Sequence, residues 1–406
     1  MTSSFRITTK TDTYVFDDVH EDRFGLRKAA SPGTCIAIRT DRSEIVAAAL
    51  VVLQGWAQEV HLVPAGIELS VLPDHCVVVE PQDDRSDPME HPALELDTTW
   101  VVYTSGTTGT PKPVRHTRQT LTRTLSIREG QLPLAWGMLY DPNRMAGLQV
   151  LHHALAANAT VIAPDLRESL AERVRFIASS GATALSATPT LWRMILQVRL
   201  ELPWQLRQIT LGGEIADQQV LDALKRRFPA ARIVHIFAST ETGAAFSVTD
   251  GLAGFPSAYL SDAPRGIRLD VRDDILHIYS PGVSTAGEDG FASTGDVVEV
   301  SGDRVLFRGR ASGVVNVGGA SVWPEEVESL LREHEEVHDA QVTARPNSMT
   351  GFLLIAAIVP TPGAQVDDLG KRLRRWVRQT APGPQVPANV RVVDALDISS
   401  TGKAAR

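Results

Sequence analysis

Between positions 103 and 113 the chain reads Tyr103-Thr104-Ser105-Gly106-Thr107-Thr108-Gly109-Thr110-Pro111-Lys112-Pro113. Four hydroxyl side chains and two glycines fall within the six positions from Thr104 to Gly109. Such a loop is rich in donors, and its backbone can close on an anion as nests of N–H groups close on phosphate. It is not a P-loop. That motif keeps four residues between its glycines and ends in Gly-Lys-Ser/Thr, whereas two residues separate Gly106 from Gly109 and a proline precedes Lys112. The plain alternative is a Ser/Thr/Gly-rich surface turn. The apolar run Trp100-Val101-Val102 before it and the helical pattern Gln119 to Ile127 after it favour a phosphate-binding loop between a buried strand and a helix.

Further polar motifs follow. Ile236-Phe237-Ala238-Ser239-Thr240-Glu241-Thr242-Gly243 pairs a hydroxyl with a carboxylate at the end of an apolar strand. Phe291-Ala292-Ser293-Thr294-Gly295-Asp296 ends in an acid, and Gly309-Arg310, Gly318-Gly319, Trp323-Pro324-Glu325-Glu326-Val327-Glu328 and Ser400-Thr401-Gly402-Lys403 come after it. Taken in this order from Tyr103 to Lys403, these stretches resemble the motifs of the adenylate-forming superfamily. That superfamily includes acyl-CoA synthetases, stand-alone and peptide-synthetase adenylation domains, and luciferases. Ala238 stands where the family pattern has glycine.

The resemblance implies ATP-dependent activation of a carboxylic acid to an acyl-adenylate, then transfer of the acyl group to a thiol, most commonly CoA. The physical problem is that a carboxylate must attack the α-phosphorus while both groups are negative, so the protein has to align atoms and neutralise charge. Thr104, Ser105, Thr107, Thr108 and Lys112, with Gly106 and Gly109, are expected on the β- and γ-phosphates. Thr240 is expected on the α-phosphate and Glu241 on Mg²⁺, which favours one or two carboxylates plus phosphate oxygens. Asp296 can accept both ribose hydroxyls because an ionised carboxylate is an acceptor only. Arg310 would reach the ribose, while Phe237, Ala238 and the Gly212-Gly213 pair would flank the adenine. Lys403 would place a cation between carboxylate and α-phosphate. The plain alternatives are solvated turn carboxylates for Glu241 and Asp296, a surface Arg310, core packing for Phe237 and a frayed terminus for Lys403.

The chain departs from the family pattern in several places. Only 102 residues precede Tyr103, so the first subdomain looks trimmed. The hinge position is Ser312, followed by Gly313. In the family the last domain rotates there, delivering the Gly-Lys for adenylation and the Gly318-Gly319 loop for thiol attack, and small residues tolerate such changes. Where relatives often carry His-x-x-Gly, this chain has Arg144-Met145-Ala146-Gly147. An arginine fork matches a carboxylate, so Arg144, beside Gly147, is expected to contact the acid substrate, the alternative being a pair with Asp141. Asp141 on a substrate amine is a weaker alternative. Trp136, Tyr140, Met145 and Leu185, with residues near Gly212 and Phe246, are expected as walls of the acid pocket, compatible with aryl or medium acyl groups. The adjacent His152-His153 cannot share a helix face and so do not form a metal pair. A helix from Val366 to Gln379 carries Lys371, Arg372, Arg374, Arg375 and Arg378 around a stripe of Val366, Leu369, Leu373 and Trp376. It reads as a solvated basic face or as a landing site for CoA phosphates or an acidic carrier protein.

The elements that position these residues alternate regularly. Cys35 to Ile38, Val60 to Val63, Thr160 to Ala163, Thr183 to Ala187, Gln208 to Leu211 and Arg232 to Phe237 read as strands. Helices are expected from Ser43 to Leu53 (Ser43 as cap), Leu166 to Ser180 (Asp165 as cap), after Thr188-Pro189, and from Asp217 to Phe228. Pro81 to Pro92 reads as a surface loop. Short strands follow Gly243, then a compact α+β segment with a helix opening at Pro324. The fold class is therefore α/β. A large N-terminal adenylate-forming (AMP-binding) domain, residues 1–311, holds mostly parallel sheets covered by helices plus a β-rich subdomain. A small mobile α+β lid follows at 312–406.

Bulk properties agree with a globular enzyme. The chain has 406 residues, 43% hydrophobic and 22% charged, with a formal charge of −8, so no nucleic-acid partner is expected. No apolar run is long enough for a membrane span. Cys35 and Cys76 are read as making neither a disulfide framework nor a metal site, with Cys35 packing in its strand; a cytoplasmic location is expected. The expected partners are a small carboxylic acid, ATP, Mg²⁺ and CoA. One alternative is an enzyme loading the phosphopantetheine of an acyl carrier protein, and another is a non-catalytic nucleotide-binding paralogue.

Overall fold

The computed structural model describes residues 4–16, 22–28, 30–81, 96–104, 111–122, 133–200, 203–239, 243–279, 289–381, 383–397 and 403. The chain divides into two compact units, one of Met1–Ala187, Val198–Gly212 and Ala230–Ser247, the other of Thr188–Gln197, Gly213–Pro229 and Val248–Arg406.

The first unit holds two sheets. In the smaller, the strand order is Val77–Val79, Cys35–Arg39, Glu59–Val63, Thr99–Thr104 and Lys112–His116. Its neighbours run parallel except for the last pair, which is antiparallel. Parallel pairing follows from the crossover helix Ser43–Val52, whose residues Ile45 to Leu50 are buried. The cap of that helix is Arg42 rather than Ser43, and no side chain caps it; Glu44 in the first turn instead pairs with Arg42 at 2.7 Å. The larger sheet has eight strands in the order Gly243–Val248, Arg232–Ser239, Gln208–Gly212, Ala184–Ala187, Ala135–Met138, Thr160–Ile162, Phe5–Thr8 and Thr13–Phe16. From Arg232–Ser239 to Phe5–Thr8 each pair is parallel. Strand residues buried on both faces read as near-continuous apolar runs, which is why the alternation was visible. The edge hairpin Phe5–Phe16 was not expected, because its two four-residue strands lie in a stretch that reads as polar.

Two local readings need correction. The helix expected from Leu166 starts at Leu170, with Ser169 and Glu172 forming a reciprocal capping box. Asp165 does not cap it; its carboxylate is taken by Arg167, whose Nη2 lies 2.7 Å away. Cys35 and Cys76 are joined by a disulfide, with Cα atoms 4.7 Å apart. Ile36 is paired with Val77, so the preceding residues fall side by side, a proximity that a separation of 41 residues concealed. The cysteine content therefore no longer argues for a reducing compartment. The loop expected from Pro81 to Pro92 lies, after Pro81, outside the described residues.

The second unit contains an antiparallel sheet ordered Phe255–Pro256, Arg304–Arg310, Ala292–Ser301, Ile275–Tyr279 and Arg268–Arg272. A further sheet is ordered Ala320–Val322, Val315–Val317, Gly351–Pro360 and Val337–Asn347, with Asn389–Val392 added parallel to Gly351–Pro360. Helices Pro324–Arg332 and Leu369–Thr380 close its core through Val327, Leu331, Leu369, Leu373 and Val377. Val366 lies outside the second helix and is exposed, because Asp368 is left-handed and the helix starts after it.

Charges are buried in this unit as a network. Asp217 caps the helix Gln218–Arg227 through the Val220 N–H at 3.0 Å and also binds Arg193 and Arg332. Arg332 donates to Asp339 at 2.8 Å and to the Ala340 carbonyl at 2.7 Å. Burial would raise the Asp217 carboxyl, but Arg193 and Arg332 outweigh it and hold the group below its ordinary range. Removing one member leaves a buried charge without its partner, so Arg332→Ala is expected to destabilise the protein by about 3–5 kcal/mol. Exposed Arg375→Ala should stay within about 0.5 kcal/mol. Urea midpoints measure both; equal midpoints for the two variants would contradict the network's role.

Candidate functional site

In the second unit, Asp296 and Arg310 stand opposite each other in neighbouring antiparallel strands. Arg310 Nη1 donates to Asp296 Oδ1 at 2.9 Å. The Asp296 N–H donates to the Thr294 hydroxyl at 3.1 Å, and that hydroxyl donates to the Leu276 carbonyl at 2.9 Å. Asp296 is 9% exposed, whereas the Arg310 side chain is 58% exposed. Burial pushes the Asp296 carboxyl above the ordinary aspartate value, against the opposing pull of Arg310, Thr294 and Lys403.

Lys403, near the end of the sequence, lies against Gly213. A Cβ built on Gly213 would sit 3.3 Å from Lys403 Cε and 3.8 Å from Nζ, and the residue has φ +84°. A side chain there would both meet the lysine and strain the backbone, so glycine is required. The adjoining turn is held by caps: the Thr188 hydroxyl accepts from the Leu191 N–H at 3.1 Å, and Glu214 accepts from the Thr190 N–H at 3.0 Å. The cap at Thr188 is legible as Thr-Pro; that of Glu214 comes from a distant strand end and has no local signal. Gly213, Asp296, Arg310 and Lys403 thus form one group in which a buried carboxylate can accept hydroxyls while a lysine charge is close enough to act on it.

Ser312 lies in the short turn Ala311–Gly313 that follows the strand carrying Arg310. Gly318 and Gly319, at φ +60° and +91°, make the two-residue turn of the hairpin whose register pairs Val317 with Ala320. That is the geometry a type I′ turn demands. On the helix Leu369–Thr380, Lys371 pairs with Asp368, Arg372 with Glu336, and Arg374 donates to the Pro387 carbonyl. Much of the basic face is therefore engaged within its own domain.

In the first unit, Gly212 ends its strand opposite Ile236. Phe237 is half-buried and stacks on Phe246 with ring centroids 5.2 Å apart and planes 13° from parallel; Ala238 follows it in the strand. Arg144 precedes the helix Met145–Ala156 and its Nη1 donates to the Tyr103 carbonyl at 3.0 Å. Its Nε is 3.8 Å from Asp141, whose carboxylate accepts from the Asn143 N–H at 2.9 Å and side-chain amide at 3.0 Å. A Cβ on Gly147 would come within 2.3 Å of the Asp141 carbonyl, so this loop can cross the helix only above glycine. Lys112 opens the strand Lys112–His116, paired with Thr104. Trp136, Tyr140 and Met145 belong to the main core, and Leu185 is also fully buried. His152 and His153 are neutral packing groups: burial takes His152 down to about 4 and also lowers His153, whose ring sits edge-on to Trp136. Ser105, Gly106, Thr107, Thr108, Gly109, Thr240 and Glu241 lie outside the described residues.

No helix among the described residues is long and apolar enough to cross a membrane. The raised Asp296 carboxyl has a consequence for stability. A carboxyl that is harder to ionise when folded makes stability fall as pH rises from the unfolded aspartate value through the folded one. Asp296→Asn should therefore raise ligand-free stability at neutral pH and lose that gain in acid. Thermal melts across pH check this; a variant less stable at every pH would contradict the assignment of burial as the dominant effect.

The family model described as AMP-binding enzyme matches residues 28–288, and the AMP-binding enzyme C-terminal domain matches residues 326–403. A probable non-canonical nonribosomal peptide synthetase of Salinispora arenicola is 28% identical over 370 residues, covering 80% of this chain and 4% of that protein. The 4-chlorobenzoate–CoA ligase of an Arthrobacter species is 29% identical over 317 residues, covering 68% of this chain and 60% of that one. Among solved structures, ATP-bound MatB from Rhodopseudomonas palustris superposes with a TM-score of 0.75 at 17% identity, covering 100% of this chain and 95% of that chain. An arginine-to-lysine variant of E. coli MenE with bound OSB-AMS gives 0.74 at 18% identity, covering 97% of this chain and 93% of that chain.

Proposed function

Because this chain belongs to the AMP-binding enzyme family, we propose that it activates a carboxylic acid with ATP to an acyl-adenylate and passes the acyl group to a thiol, CoA being the first choice. The observation that carries the reading is Lys403 lying against Gly213 and acting on the buried Asp296. A binding module would have no need of a lysine there; an adenylating enzyme needs a cation where negative charge gathers in the transition state.

The roles follow from donor type. Asp296 accepts the ribose hydroxyls and Arg310 holds its carboxylate in place. Gly212, Gly213, Phe237 and Ala238 flank the adenine, with Phe237 braced by Phe246. Thr104 to Gly109 and Lys112 bind the departing pyrophosphate. Thr240 binds the α-phosphate and Glu241 holds magnesium, which supplies charge neutralisation at the phosphates. The boundary between a catalytic domain 1–311 and a lid 312–406 falls at Ser312, with the Gly318-Gly319 hairpin turn serving the thiol half-reaction.

Arg144 is assigned to the acid substrate. Its contacts with the Tyr103 carbonyl and Asp141 leave the guanidinium tethered at the foot of the phosphate loop's strand, with donors remaining for a carboxylate. The likeness to a nonribosomal peptide synthetase favours a second reading, in which the acceptor is the phosphopantetheine of a carrier protein.

Acid-dependent exchange of labelled pyrophosphate into ATP tests the proposal. Lys403→Ala should slow that exchange by about 10²–10³-fold, as loss of one transition-state donor does elsewhere, yet leave thiolysis of supplied acyl-AMP running. Unchanged exchange in the variant, or none with any acid in a broad library, would overturn the reading. Arg144→Ala should raise KM for the acid by about 10–100-fold, the size of a charged hydrogen bond, without moving KM for ATP. Steady-state kinetics with the best acid decide this, and equal KM values would remove Arg144 from the pocket.

A further inference from the structure

Cys35, His61 and Cys76 present one sulfur or ring nitrogen each, all within 4.8 Å of one another. The sheet brings them together. Ile36 pairs with Val77 and Ala37 pairs with His61, so Cys35 and Cys76 lie side by side while His61 projects from the neighbouring strand on the same face. Glu59, paired with Cys35, joins that face.

Beside this cluster, Nε2 of His61 and Oε1 of Glu59 are both buried and face each other. They approach to 3.0 Å, and Arg115 Nη2 lies 3.0 Å from the same glutamate oxygen. His61 is 1% exposed. The opposite ring nitrogen is fixed, since Nδ1 lies 2.6 Å from the Tyr103 hydroxyl. A metal-binding imidazole is held in this way, one nitrogen on an outer partner and the other turned toward the metal.

We propose that, once the disulfide is reduced, Cys35, Cys76, His61 and Glu59 bind one zinc ion. Reduction by a dithiol adds two electrons and two protons to the disulfide and leaves the reductant as a cyclic disulfide. Zinc then displaces two protons as both thiols become thiolates. Two thiolates, an imidazole and a carboxylate make a tetrahedral donor set suited to zinc, which tolerates mixed sulfur, nitrogen and oxygen ligands. The oxidised chain has no thiolate to offer, so the site opens and closes with redox state. Tyr103 ties it to the start of the phosphate loop, but the proposal does not depend on the reading of that loop.

The test uses the full chain reduced with a phosphine and freed of metal by a chelator. Added cobalt(II) should give the thiolate-to-metal charge-transfer band in the near ultraviolet, saturating at one ion per chain and bleached by zinc. The disulfide form should give no band. Tyr103→Phe should weaken cobalt binding by about 10–100-fold, the usual effect of losing an outer-shell partner, whereas His75→Ala should leave it in place. Zinc should also protect both cysteines of the wild-type reduced chain from alkylation, a readout that needs no substitution. Alkylation at the same rate with and without zinc, or a cobalt band that survives Cys35→Ser with Cys76→Ser, overturns the proposal.

Discussion

Lys403 packs against the main chain at position 213, where a left-handed turn favours glycine and no side chain stands between them. The left-handed turn at Gly213 and the 3.3 Å gap between its would-be Cβ and Lys403 Cε leave the lysine close to a backbone that no side chain shields. The rest of the functional reading depends on this contact. A lysine brought to this turn also lies within range of Asp296, whose burial would otherwise make its charge costly. Arg310, Thr294 and Lys403 share the work of keeping that carboxylate ionised, and each does so with a group that a nucleotide could also use.

The second unit pairs its buried charges with one another. Asp217 at a helix start, Arg193 on the helix Pro189–Gln197, Arg332 at a helix end and Asp339 on a strand are mutually paired and largely buried. Ion pairs of this kind add little stability over a well-packed apolar core, because desolvation offsets the attraction. Their effect lies in the penalty for any arrangement that separates them. Gly309 adds a steric condition, since a Cβ there would meet Trp323 at 2.9 Å.

Much of this was legible because strand and helix alternate with strong local punctuation. Thr188-Pro189 caps where its sequence pattern says it should, and Gly181 ends its helix with φ +82°. Asp296 and Arg310 were nominated from separate motifs and meet in register across two strands. Other features were hidden for identifiable reasons. Asp165 looked like a cap, but Arg167 claimed its carboxylate and the reciprocal Ser169–Glu172 pair prevailed. The Cys35–Cys76 link depends on strand order, which no local pattern encodes. Val366 fitted the apolar stripe of its helix by spacing, yet a left-handed Asp368 places it outside.

The central claim concerns one ligand, and a crystal structure with a non-hydrolysable acyl-adenylate mimic addresses it most directly. The account predicts both ribose hydroxyls on the Asp296 carboxylate and Lys403 Nζ at the acyl–phosphate linkage. A mimic bound with its ribose away from Asp296 and Lys403 turned to solvent would contradict it.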